Sequence, residues 1–107
     1  MRNPNWELEE AVALFEMYFR KTTTNADLEL LSKALKRRAH KNGIIVSTTF
    51  RNLNGLKMQL GCILYVVSDG KHGFHSASKL FFDTYDLYQN NKREFYKIWD
   101  NFSKIYM

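Results

Sequence analysis

Cysteine occurs once, proline once and glycine five times in 107 residues. The single thiol, Cys62, can close no internal disulfide, and its place in an apolar run reads as a small buried hydrophobe in a reducing compartment. So little proline and glycine leaves a β-sandwich or barrel without the turn signal it needs about every 8–12 residues. No stretch approaches the roughly 18 apolar residues of a membrane span. The opening Met1-Arg2-Asn3-Pro4-Asn5-Trp6 also has no apolar core of a secretion signal, so a cytoplasmic protein is expected.

What is present argues for one helical globule. A hydrophobic content of 45%, with 15% aromatic, excludes a disordered chain, and the length suits a single domain over residues 1–107. Leu8, Val12, Phe15 and Phe19 mark one helical face, widened by Ala11, Leu14 and Tyr18. Glu7, Glu9 and Glu10 at its start and Arg20 and Lys21 at its end complement the helix dipole, a reading preferred to a metal or acid/base site. Asn25 is a good N-cap for a second helix over about 26–39, whose buried stripe is Leu28, Leu31 and Leu35 and which Asn42-Gly43 stops.

Ile44-Ile45-Val46 reads equally as a short strand or a buried loop. A third helix, starting between Thr48 and Leu53 and running to about Val67, follows from Leu53, Leu56, Leu60, Ile63 or Leu64, and Val67. The β-branched run Cys62–Val67 leaves a strand as the alternative. Ser68–Gly73 is a turn. A fourth helix is expected over about 78–89, with Leu80, Phe81, Tyr85 and Tyr88 as core positions. Asn91 with Glu94 then starts a fifth, whose apolar face is Phe95, Ile98, Trp99, Phe102, Ile105 and Tyr106. The expectation is an all-α fold of about five helices, the first three helix-turn-helix-like and the last two a packed support.

The charge is unevenly placed. Net charge is +5, yet residues 33–79 carry nine basic side chains and one acidic one, between an acidic amino-terminal third and a balanced carboxy-terminal one. A positive middle of this kind suits a surface that meets phosphates, because bound Lys and Arg release condensed counterions. Lys36, Arg37, Arg38, Lys41, Lys71 and Lys79 are the candidate phosphate contacts, within a basic run that also holds Lys33 and His40. Arg51, Asn52, Asn54 and Lys57, with Gln59 nearby, supply side chains that read base edges. Asn52 serves equally well as a helix cap, and Phe50 reads as a core plug before a stacking platform.

Enzyme chemistry has little to work with. His72 and His75 form one loose pair, far from His40 and the only thiol, which falls short of a zinc set. Cys62 lacks an activating neighbour, and no Gly-rich phosphate loop or His-Glu-His helix motif occurs. The chain is therefore expected to be non-catalytic and to need no cofactor and no metal.

One resemblance is specific. Trp6 with Glu9-Glu10, Tyr18-Phe19-Arg20, Leu31-Ser32 with Leu35, Phe50-Arg51-Asn52-x-Asn54-Gly55-Leu56-x-x-x-Leu60 and Gly73-Phe74-x-Ser76-x-Ser78-Lys79-Leu80 carry it. Together they resemble the amino-terminal region of McrA-like HNH restriction endonucleases that attack modified DNA, over residues 6 to about 89. In that family the region is a small DNA-recognition module ahead of sulfur-binding or methylcytosine-binding domains and a nuclease. The resemblance implies double-stranded DNA as partner, modified DNA included. It departs at Glu7, where Thr or Ser is common, and at Leu53, where proline is usual. No HNH nuclease is present, so cleavage does not carry over, and the chain is expected to be either an excised domain or a short stand-alone relative. Trp-x-x-Glu-Glu followed by three helices is also distantly similar to Myb/SANT helix-turn-helix domains. A competing expectation, from the short length, is a phage or mobile-element protein that inhibits a host defence nuclease. A third is a dimerisation module using Trp99, Phe102 and Tyr106.

Overall fold

The computed structural model describes residues 3–74 and 76–107. Five helices follow one another, α1 Leu8–Arg20, α2 Asn25–Lys41, α3 Leu53–Val67, α4 Lys79–Asn90 and α5 Lys92–Tyr106, with no strand among the described residues. The Ile44–Val46 stretch is loop, with Ile45 78% exposed, and Cys62–Val67 is helical. None of these helices is long and apolar enough to cross a membrane.

Helices α2 to α5 each start where a side chain satisfies a free amide of the first turn. Thr24, one residue before the expected Asn25, caps α2 by accepting from the Asp27 amide at 3.2 Å, and Asp27 returns a bond to the Thr24 amide. Asn52 caps α3 through Gly55, Ser78 caps α4 through Phe81, and Asn91 caps α5 through Glu94. At α1 the Glu7 amide donates to Glu10 Oε1 at 2.9 Å. These caps are local, which is why residue order alone nearly places them.

The helices form a ring of four around a fifth. α2 packs on α3, α3 on α4, α4 on α5 and α5 on α2, and all four pack on α1. α1 therefore has no open side: residues 10–17 are all buried, Glu10 and Glu16 among them. The one-faced amphipathic helix expected from Leu8, Val12, Phe15 and Phe19 is corrected in two respects. Leu8 is 40% exposed, and Ala13 and the two glutamates lie inside. Aromatic rings fill the space between α1, α4 and α5. Phe15 meets Phe81 edge-on at 5.5 Å, and Phe19 stacks on Tyr88 at 4.0 Å. Phe50 is a core residue at 2% exposure, whereas Ile105 on α5 is 51% exposed.

The first three helices depart from a compact helix-turn-helix in one connection. α2 and α3 are joined by the chain from Asn42 to Asn52, much longer than the turn of about 3–4 residues that such motifs use. Asn3 holds this connection, its amide oxygen accepting from the Ser47 amide at 2.9 Å and its Nδ2 donating to Ser47 Oγ at 2.8 Å.

Candidate nucleic-acid interface

The ten candidate contact residues divide by burial. Arg38 and Arg51 point inward, with side chains 9% and 7% exposed. Arg51 reaches the core of α1. Its Nε and Nη2 donate to the two carboxylate oxygens of Glu10 at 3.0 and 3.1 Å, and Nη2 also donates to the Pro4 carbonyl. The guanidinium lies 4.6 Å from the Trp6 ring centroid and 4.4 Å from that of Phe50, so both rings help shield the buried charge. Ser32 Oγ donates to the Arg51 carbonyl at 2.7 Å. Arg51 thus carries the structure of the α2–α3 connection and is not available to a base edge.

Arg38 is held in the same way by the acidic start of α1. It donates to Glu9 and, at 3.0 Å, to Glu7, and it lies 3.9 Å from Glu10. Those carboxylates raise its pKa against the opposing effect of burial, which is the largest single influence. Glu7, Glu9 and Glu10 are therefore partners for two arginines as well as residues suited to a helix start. Asn52 is the cap of α3, its Oδ1 accepting from the Gly55 amide at 2.8 Å; a Cβ on Gly55 would lie 3.0 Å from that oxygen. Between cap and contact, the structure places Asn52 as cap.

The remaining candidates, Lys36, Arg37, Lys41, Asn54, Lys57, Lys71 and Lys79, are exposed. They do not form one patch. Lys36, Arg37 and Lys41 share a face of α2 with Lys33 and His40, at spacings of three and four residues. No acidic side chain pairs with any of these five among the described residues. Toward α5, a groove of about 540 Å³ is lined by all five and by Ile105 and Tyr106. Arg37 Nε donates to the Tyr106 carbonyl at 2.8 Å, anchoring the edge of that groove, and Lys41 Nζ stands 5.9 Å from the Tyr106 ring centroid. Toward α3, Lys33 and Lys36 also line a depression of about 240 Å³ with Glu29, Ser32, Asn52 and Leu53. The basic face thus runs from the carboxy-terminal end of α5 across α2 to the start of α3.

Lys79 sits elsewhere. It pairs with Asp83 on its own helix at 2.7 Å, a contact that raises its pKa, and α4 does not touch α2. Lys71 lies in the turn after α3, where the Ser68 hydroxyl accepts from the His72 amide at 2.9 Å. His75 falls outside the described residues. Among those described, no three His, Cys, Asp or Glu side chains gather as metal ligands would.

Lys33 and His40 line the same groove as Lys36, Arg37 and Lys41, although neither is among the ten candidates. Their sequence signal was available in the period of α2. Residues 33, 36, 37, 40 and 41 follow the i, i+3, i+4, i+7, i+8 pattern of one face. Arg38 falls on the opposite stripe, three residues after Leu35 and seven after Leu31.

The motifs of the family resemblance converge on structure. Trp6, Glu10, Phe50 and Arg51 form one cluster at the edge of the core, Trp6 half-buried and meeting Phe81 edge-on at 5.9 Å. Gly73 and Phe74 dock the turn on α3, and Ser78 caps α4. No family model matches the chain, and neither the curated proteins nor the solved structures searched contain a match.

Proposed function

We propose that this chain binds double-stranded DNA, with the exposed face of α2 on the phosphate backbone and the outer side of α3's first turns directed at the bases. The observation that carries the reading is the separation of charge. The glutamates at the start of α1 are taken up by Arg38 and Arg51, while Lys33, Lys36, Arg37, His40 and Lys41 stand exposed with no ion-pair partner among the described residues, Glu29 being the one carboxylate that lines the depression beside Lys33 and Lys36. Phosphate oxygens are the partners such a row suits, since each contact releases condensed counterions. Asn54 and Lys57, exposed on α3, are the side chains with base-reading chemistry that remain free to turn outward. The resemblance to the McrA-like head region supports a duplex as ligand and directs attention to modified bases. Of its residues, however, Phe50 and Arg51 act here in the core.

The salt dependence of duplex binding tests this reading. Four phosphate contacts, from Lys33, Lys36, Arg37 and Lys41, predict a log–log slope of roughly −4. A slope near zero removes the proposal, as does a lysate partner that survives nuclease digestion, which would point to a protein ligand. Matched duplexes, unmodified, methylated, hydroxymethylated and phosphorothioated, then reveal whether a modification is read.

A further inference from the structure

A second cavity, apart from the basic face of α2, lies between the amino-terminal segment, α3 and the start of α4. It has a volume of about 570 Å³, within the range of roughly 300–1,000 Å³ typical of small-molecule sites. None of its lining residues lines the groove or the depression along α2. Trp6, Leu80 and Phe81 supply apolar and aromatic surface, Asn5 and Gln59 contribute side-chain amides, and Lys79 contributes a cation. No acidic residue lines it.

That combination is selective. An aromatic surface accepts a flat ring by stacking, whatever the base. An Asn or Gln amide matches the paired donor and acceptor of adenine, N6 and N7. The amides of Asn52 and Asn91 are occupied in capping helices, whereas neither Asn5 nor Gln59 is a helix cap. The Arg51 guanidinium over one face at 4.6 Å and Phe81 edge-on fix the orientation of the Trp6 ring, which lines the cavity with the part of its surface they leave. The Lys79 side chain is 87% exposed and pairs, among the described residues, with Asp83 alone, so it can turn to a phosphate without breaking the core.

We propose that this cavity binds one adenine nucleotide unit, with the ring against Trp6, its edge on the Gln59 amide and its phosphate on Lys79. The unit has two sources, a free adenine nucleotide or an extruded base in a nucleic-acid strand. The proposal does not rest on duplex binding by α2, and either can fail without the other.

Titration of the full chain with AMP, CMP, GMP, UMP and adenosine, followed by the Trp6 indole and Gln59 amide NMR signals, tests it. Saturable shifts at both signals are expected with AMP, at lower concentration than with the pyrimidine nucleotides or GMP. Gln59→Ala should weaken AMP at least tenfold at an unchanged melting temperature, and Lys79→Ala should remove the preference for AMP over adenosine. A heptamer of thymidines with one central adenosine separates the sources. Tighter AMP assigns a free nucleotide, a tighter heptamer assigns a strand, and both keep the site. The proposal is overturned if AMP shifts appear only along α2, at Lys36 and Arg37, if no base is preferred, or if Gln59→Ala binds AMP as well as the parent chain.

Discussion

Glu10 and Arg51, 41 positions apart in sequence, meet inside the protein, with Glu10 Oε2 accepting from Arg51 Nε at 3.0 Å. The pair joins the central helix to the residue immediately before the cap of α3. Arg51 also adopts a left-handed backbone, φ 47°, so the ion pair holds a conformation that a non-glycine residue rarely takes.

Removing either partner takes the hydrogen-bonded counter-charge from a buried group, leaving Glu10 with only Arg38 at 3.9 Å or Arg51 with no carboxylate among the described residues. Arg51→Ala is expected to destabilise the fold by about 3–5 kcal/mol, and Glu10→Ala by a similar amount. Urea denaturation measures both. A loss below about 1 kcal/mol would show that Arg51 is not engaged in the core as described.

The exposed face of α2 should behave in the opposite way. Lys33→Ala with Lys36→Ala should leave stability within about 0.5 kcal/mol and flatten the salt slope of duplex binding by roughly 2. Gel-shift titrations across a salt series read the slope, and thermal unfolding checks the fold.

Asn52 and Asn54 differ in role although two positions apart. Asn52→Ala removes the cap of α3 and should cost about 1 kcal/mol of stability. Asn54→Ala leaves the fold intact and should erode discrimination between duplex sequences. Denaturant midpoints and competition binding on both variants separate these effects.

Gly73 faces α3 at close range. At φ 85° its Cβ would lie 2.4 Å from the Gly61 carbonyl and 2.8 Å from the Tyr65 amide nitrogen, so Gly73→Ala must displace the turn. A loss of roughly 1–3 kcal/mol is expected. Gly43, at φ 71°, has nothing within 4 Å of a built Cβ, so Gly43→Ala carries only the backbone strain and should cost less. Comparative melting of the two variants decides.

Burial pushes the Cys62 thiol above its usual pKa of 9.0. The folded protein therefore holds that proton more tightly than the unfolded chain, and between the two pKa values it binds more protons. The protection is complete at neutral pH and is lost as pH rises past 9 through the folded value. Iodoacetamide should alkylate Cys62 several-fold more slowly than free cysteine at pH 8, and the denaturation midpoint should fall above pH 9.

Much of the fold was legible because helix formation is local. The number of helices, and their ends to within a residue or two apart from the start of α3, which stayed open between Thr48 and Leu53, follow from caps such as Ser78 and Asn91, from the Leu53, Leu56 and Leu60 spacing, and from the Ser68–Gly73 turn. The candidate interface was legible only in part. Charge density grouped Arg38 with its neighbours Arg37 and Lys41, although the period of α2 sets it among Leu31 and Leu35. Arg51 carried no comparable warning, because its partner lies on another helix.

The opening scarcities and the periodicities thus determined by themselves an all-helical chain with its positive charge in the middle. Which basic residues face solvent was decided only by tertiary structure. α1 sits inside a ring of four helices, and its buried carboxylate at Glu10 must be paired, since an unpaired charge in an apolar interior is far more costly than two long side chains drawn inward. Arg51 and Arg38 meet that demand, and the charge left on the surface is what they do not use.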